Sequence, residues 1–389
     1  MSPARSPYRW AVLAAGTLAQ TSFSALAIGL PVLVPTLGEE YDLTLGQVGV
    51  LLAAEWVGAL VTMLPWGIAA DRFGERVVLA LGLGTCSMFL VAAAHAPDFN
   101  ALVGLLALAG GAGASVNSAS GRAVMHWFGA DERGLALGVR QTAVPLGGLV
   151  AALVVPQLTT PGDATSAFLF FAAFCALGAV VGGALIRGRE GEERELGQET
   201  VARTLRDGRL WRLSFGSGLF VYSQIAVIGF GVVFLHDEHG LSERDAALVI
   251  AASQVIAVGM RVGAGRWSDV VGSRIGPLRQ VGVAVAVSLA VTAVLASGPV
   301  WLLVPALAVA GGLSMGWNAL AFATAAEFAG PARSGAAIGF QQTVLAGIGI
   351  VAPIVFASTV SASSWALAFF LAALVPLVGR RALRPLRGY

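Results

Sequence analysis

The chain has no lysine: all 24 of its basic residues are arginines, and charged residues of both signs fill only 12% of its 389 positions. An average soluble domain carries about 25% charge, so this chain has too little to cover a water-facing surface. Cysteine is almost absent, with Cys86 and Cys175 both inside apolar stretches, where they read as small packing residues and not as a disulfide framework. There are four histidines and no H-E-x-x-H spacing. No metal or nucleophile constellation is left on which to build an enzyme; neither a cofactor nor a nucleic-acid partner is expected.

What the chain does have is apolar length. Residues of hydrophobic type make up 57% of it, and runs of 18 or more such residues can cross about 30 Å of hydrocarbon. They lie at 10–35, 45–70, 77–95, 99–128, 134–156, 164–186, 211–235, 244–267, 279–297, 299–328, 335–358 and 364–380, here called helices 1 to 12. Arg5 and Arg9 before the first run, with Ala25-Leu26-Ala27 inside it, imitate a signal peptide. The run to Pro35 is too long for a signal core, so it is expected to stay as helix 1. The reading is an all-α membrane protein with six helices in 1–186, a polar linker at 187–210 and six helices in 211–389. Within the linker, residues 201–206 form either an amphipathic helix on an anionic leaflet or a solvated connection.

The two sets of six are copies. Gly67, Asp71, Gly74 and Arg76 recur 198 positions later as Gly265, Asp269, Gly272 and Arg274; Gly110-Gly111, Asn117, Gly138, Gln141 and Thr142 recur 201 positions later as Gly311-Gly312, Asn318, Gly339, Gln342 and Thr343. Two units in the same order mark a parallel-repeat transporter. The arginines orient it. With the N-terminus cytoplasmic, all of them outside the spans except Arg244 fall inside, and the positive-inside rule puts both termini in the cytoplasm.

Gly67-Ile68-Ala69-Ala70-Asp71-Arg72-Phe73-Gly74-Glu75-Arg76 resembles the signature loop of the major facilitator superfamily, G-x-x-x-D-R-x-G-x-R, and residues 265–274 resemble its degenerate second copy. The resemblance implies two six-helix bundles, alternating access, and a latch on the cytoplasmic side formed by Gly67, Asp71, Arg72, Gly74, Arg76, Gly265, Asp269 and Arg274. On physical grounds Gly67 would let another helix approach closely, and Asp71 would accept from an exposed helix N-terminus. Two departures stand out: Glu75 occupies a place where a basic residue is common, and no basic residue follows Asp269.

A charge near mid-bilayer costs roughly 2.5 kcal/mol or more, so the charges inside spans are the candidate working residues. There are four: Glu55 in helix 2, Arg122 in helix 4, Arg140 in helix 5 and Arg261 in helix 8. Helices 3, 6, 9 and 12, peripheral in the family, have no charge in their cores. Arg261 stands eight residues before Asp269, about 12 Å inward at 1.5 Å per residue. The pattern Arg261-x-x-x-Gly265-x-x-x-Asp269 resembles helix 8 of monocarboxylate and oxalate/formate carriers, which implies a substrate carboxylate on its guanidinium fork; the alternative is an ion pair with a cytoplasmic acid. Arg140 and Arg122 either line the inner vestibule or pair with interfacial acids such as Asp131 and Glu132. Arg140 becomes Gln341 in the second copy, an asymmetry suited to ligand chemistry. Glu55 is a candidate proton carrier or the partner of a cavity arginine.

Asn117, Asn318, Gln141, Gln341, Gln342, Tyr222 and Trp317, with Gln224, Gln254 and Trp56, complete the expected cavity lining, where each is either a ligand contact or interhelical glue. Val144-Pro145-Leu146-Gly147-Gly148 is a broken form of the helix 5 motif of proton-coupled exporters, and no arginine stands between Leu105 and Gly113, so export of drugs or metabolites is the second reading. A transport-like sensor is a third. The leading expectation is a monomeric, proton-coupled carrier of a small organic anion such as a carboxylate in the bacterial-type inner (plasma) membrane.

Overall fold

A computed structural model describes residues 6–128, 133–186, 206–329 and 334–386, and all that follows concerns those residues. Twelve helices in it are long and apolar enough to cross a membrane. They run Tyr8–Tyr41, Leu45–Met63, Glu75–Ala93, Phe99–Val124, Gly138–Leu158, Thr165–Leu185, Gly208–Glu238, Glu243–Ser268, Ile275–Leu295, Val300–Ala329, Ala337–Ala362 and Trp365–Leu386, and keep the numbers 1 to 12. Their order is the expected one. Helix 7 begins inside the stretch expected as linker, because the Asp207 side chain accepts from the Arg209 backbone N–H at 2.9 Å and caps it. The hydrogen-bonded Arg209 guanidinium also holds the Asp207 carboxyl below its ordinary range. The expected surface helix at 201–206 falls almost wholly outside the described residues.

Local chemistry sets the other starts. Thr44 and Gln47 form a reciprocal capping box ahead of helix 2, Asp98 caps helix 4 through the Ala101 N–H at 2.9 Å, and Ser364 caps helix 12 through the Leu367 N–H. Gly74 and Gly272 close the two signature loops with φ of 83° and 66°, a region glycine enters without steric cost. That explains why both copies keep this glycine.

Helices 1 and 7, the first of each half, lose α-geometry. Helix 1 tightens to a 3₁₀ turn at Leu30–Leu33 around Pro31, whereas helix 7 widens into π-turns at Ile225–Gly229 and Phe234–Glu238.

Packing repeats as the sequence does. Helix 1 lies on helix 5 as helix 7 lies on helix 11, helix 2 on helix 4 as 8 on 10, and helix 3 on helix 6 as 9 on 12. Glycine brings the pairs together: a Cβ on Gly110 would strike the Glu55 backbone, and one on Gly312 the Ile256 side chain. The halves join through helix 2 against helix 11 and helix 5 against helix 8.

This junction is tightest on the side away from the termini. There Thr36 Oγ1 donates to the Glu243 carboxylate at 2.9 Å, Gly49 lies against the Pro353 carbonyl, and Gly349 against the Trp56 ring. Toward the termini the halves part: a Cβ on Gly138 or on Gly339 would meet no atom within 4 Å. The same parting overturns one expectation. Gly67 and Gly265 have no neighbour within 4 Å of a would-be Cβ, so neither admits a close helix in this conformation.

Candidate functional site

Helix 5 breaks in two, with one segment ending at Gln141, Thr142 in a turn, and the next beginning at Ala143. Pro145 stands four residues after Gln141 and has no N–H to offer the carbonyl there. The Gln141 carbonyl instead accepts from Arg261 Nη1 of helix 8, across the junction of the halves, at 2.7 Å. Only 4% of Arg261 is exposed, and its Nε and Nη2 are enclosed with no hydrogen-bond partner. No carboxylate of the described residues pairs with it. The guanidinium is thus held by one corner, and two of its three nitrogens keep donors that the fold does not satisfy.

Other polar atoms on the helices around it are also enclosed and unpartnered: Glu55 Oε2, Gln224 Oε1, both side-chain polar atoms of Gln254, Trp317 Nε1, Asn318 Oδ1 and Gln341 Oε1. Buried polar groups are nearly always bonded, so these atoms are left for water or a ligand to satisfy. Gln254 is fully buried and lies against Gly148, where a Cβ would touch its side chain. Trp317 is pinned edge-on to Phe220 with ring centroids 6.1 Å apart. Tyr222, Gln141 and Gln342 are half-buried.

Arg140 is buried too, yet its Nε and Nη2 are taken up by neutral groups. Its Nε donates to Ser120 Oγ at 2.9 Å, and its Nη2 donates to Gln20 Oε1 at 2.9 Å and to the Asn117 carbonyl at 3.1 Å. The role expected for Asn117 thus falls to its backbone. Gln341, the counterpart in the second copy, ties the matching three helices: its Nε2 donates to Ser217 Oγ at 3.2 Å and to the Ala321 carbonyl at 3.4 Å. The Arg-to-Gln asymmetry thus sits on a tie that both halves repeat in two chemistries.

Arg122 departs from expectation as well. Its Nε lies 2.9 Å from Glu75 Oε1, so it serves the signature loop and not the vestibule, because Glu75, at the start of helix 3, is buried and needs a counter-charge. In the second half Arg274 Nε donates to Glu327 Oε1 of helix 10 at 3.1 Å. Both loops are thus fastened to the neighbouring helix by an ion pair, with the signs exchanged. Arg76 is exposed. The side chains of Asp71, Arg72 and Asp269 lie outside the described set, as does that of His126.

The sequence profile of the Major Facilitator Superfamily matches residues 12–353. An MFS-type transporter of Mycobacterium tuberculosis is 35% identical over 388 residues, 97% of this chain and 86% of its own length. The hexuronate transporter of Bacillus subtilis is 27% identical over 146 residues, 37% of this chain and 33% of its own. Among solved structures, a bacterial homolog of the human lysosomal transporter Spinster, in an inward-facing and unoccupied conformation, superposes with a TM-score of 0.76 at 16% identity, covering 98% of this chain and 96% of that one. The chain belongs to the major facilitator superfamily and is a multi-pass membrane transporter, not an enzyme.

Proposed function

We propose that this chain carries a small organic anion, most simply a carboxylate, across the bacterial inner membrane, its two bundles (1–186 and 211–389) rocking about a site at Arg261. The termini side is the cytoplasmic side, so the conformation described is open to the cytoplasm and shut outside. The observation that carries the reading is the enclosed Arg261 guanidinium, fixed at Nη1 by the Gln141 carbonyl and unsatisfied at Nε and Nη2. A carboxylate would complete it with two parallel hydrogen bonds and neutralise it. Gln254, Trp317 and Asn318 would serve the remainder of the cargo. The hexuronate transporter among its relatives takes a carboxylate cargo by its name, in keeping with this chemistry. Proton coupling belongs to Glu55, the deep acid of helix 2, and the unit of transport is a monomer.

A thermal-shift screen of purified protein against monocarboxylates, dicarboxylates, inorganic anions and cationic drugs tests the cargo class. A stabilising carboxylate should lose its effect in Arg261→Lys, which keeps charge but not the fork, and that variant should fail in liposome counterflow. Stabilisation by cationic drugs alone, or normal counterflow by Arg261→Ala, would overturn the assignment.

A further inference from the structure

A second cationic site, unconnected with the cargo path, lies at the termini side between the end of helix 8, the start of helix 9 and the end of helix 12. A cavity of about 190 Å³ there is lined by Trp267, Val271, Arg279, Gln280 and Arg380, with backbone from Gly276 and Pro277. Only 5% of Arg279 is exposed. Its Nε donates to the Arg380 carbonyl at 3.1 Å, which fixes one edge of a guanidinium that lines the cavity, and its amino groups meet no acceptor among the described residues. Arg380 Nε is enclosed and has no partner either. Among the described residues no carboxylate lines the cavity. Two arginines that line one cavity with no acid among the described residues repel one another, and burial of such charge is costly unless an anion joins them.

We propose that this cavity binds the phosphate of an anionic phospholipid. The two arginines would grip its oxygens, a geometry that suits guanidinium forks. A cavity of this volume admits a headgroup phosphate and not a whole lipid, so the acyl chains must lie outside it. The surface outside is made for them: Val270 and Val271, on the last turn that continues helix 8 to Val271, are 73% and 54% exposed, and Leu377 and Val378 on helix 12 are 41% and 57% exposed. Trp267, 42% exposed, stands at the rim, where an amphipathic ring marks the boundary between headgroups and chains. Basic pockets between helices at the cytoplasmic boundary take such headgroups, whereas a soluble phosphate would gain nothing from the apolar flank.

The test uses the full chain, delipidated in detergent and read by thermal shift and by native mass spectrometry. Phosphatidylglycerol should raise the melting temperature by several degrees and appear as a retained adduct, while phosphatidylcholine and inorganic phosphate at millimolar concentration should do neither. Arg279→Gln combined with Arg380→Gln should lose both effects, and Arg384→Gln, an exposed arginine outside the cavity, should keep them. Should the double variant fail to fold, Arg380→Gln alone decides, because the tie to Arg279 uses the backbone carbonyl of residue 380. An unchanged phosphatidylglycerol adduct and shift in the variants would overturn the proposal, as would an equal shift from inorganic phosphate.

Discussion

Gln341 repeats, in the second half of the molecule, the tie that Arg140 makes in the first. Each side chain leaves the fifth helix of its bundle, reaches the fourth helix twenty residues back, and ends on a polar side chain of the first: Gln20 for Arg140 and Ser217 for Gln341. The tie tolerates an amide in one copy, so Arg140→Gln should fold with nearly the native melting temperature. Arg140→Ala loses three hydrogen bonds, at roughly 0.6 kcal/mol each inside a membrane, and should be less stable by about 2 kcal/mol. Equal melting temperatures for the two variants would show that the tie contributes nothing.

Pro145 is expected to act on Arg261 without touching it. Pro145→Ala supplies an N–H four residues after Gln141, and that donor competes with Arg261 Nη1 for the carbonyl. The guanidinium then loses its fixed corner. Anion affinity, read by titration of the thermal shift, should fall several-fold while the yield of folded protein holds. Unaltered affinity would mean that the carbonyl bond does not position the arginine.

The ion pair of Glu75 with Arg122 should be exchangeable. Removing one member by Glu75→Gln or Arg122→Gln leaves a largely buried charge without its partner. Complete burial would make that cost about 3–5 kcal/mol; with the Arg122 side chain 29% exposed the loss is nearer 2 kcal/mol. The exchanged double variant Glu75→Arg with Arg122→Glu copies the polarity of Arg274 with Glu327 and should recover most of it. Should the exchange be no more stable than either single variant, the polarity of the pair is fixed by the groups that surround it and not by the pair alone.

Glu55 offers a test of coupling. Its Oε2 is enclosed with no partner, so Glu55→Gln keeps shape and breaks no hydrogen bond of that oxygen. In proteoliposomes, accumulation driven by a pH gradient should disappear in this variant while exchange of substrate across the membrane continues. Persisting uphill accumulation would move the proton path elsewhere, and loss of both activities would assign Glu55 to binding or folding.

Where the sequence was legible, the reason was periodic or energetic. Hydropathy located every helix because lipid demands about twenty apolar residues per crossing, and the offsets of 198 and 201 are mirrored in helix pairs that pack alike. Arg261 stood out because a charge in such a span needs a purpose. Partner choice was hidden. That Arg122 turns to Glu75 depends on how helix 4 is rotated against helix 3, and that Pro145 frees a carbonyl for Arg261 depends on the register of helix 5 against helix 8. Neither can be seen in one dimension. Gly67 was read for a close approach that exists only when the halves meet on its side. The π-turns of helix 7 carry no proline, and Gly229, which ends the first of them, and Gly231 do not by themselves announce a π-turn.

The loneliness of Arg261 has a kinetic consequence for the carrier proposed here. When the protein is empty, shutting it on the termini side would close the remaining route by which water or a counter-ion could reach two enclosed, unsatisfied donors and a full positive charge. With an anion aboard, the same movement encloses a neutral pair. Reorientation should therefore be quick when loaded and slow when empty, which makes the return of the vacant carrier the bottleneck of net flux. Cargo offered on the opposite face would relieve it, and tracer efflux should speed up in proportion to the unlabelled anion waiting outside.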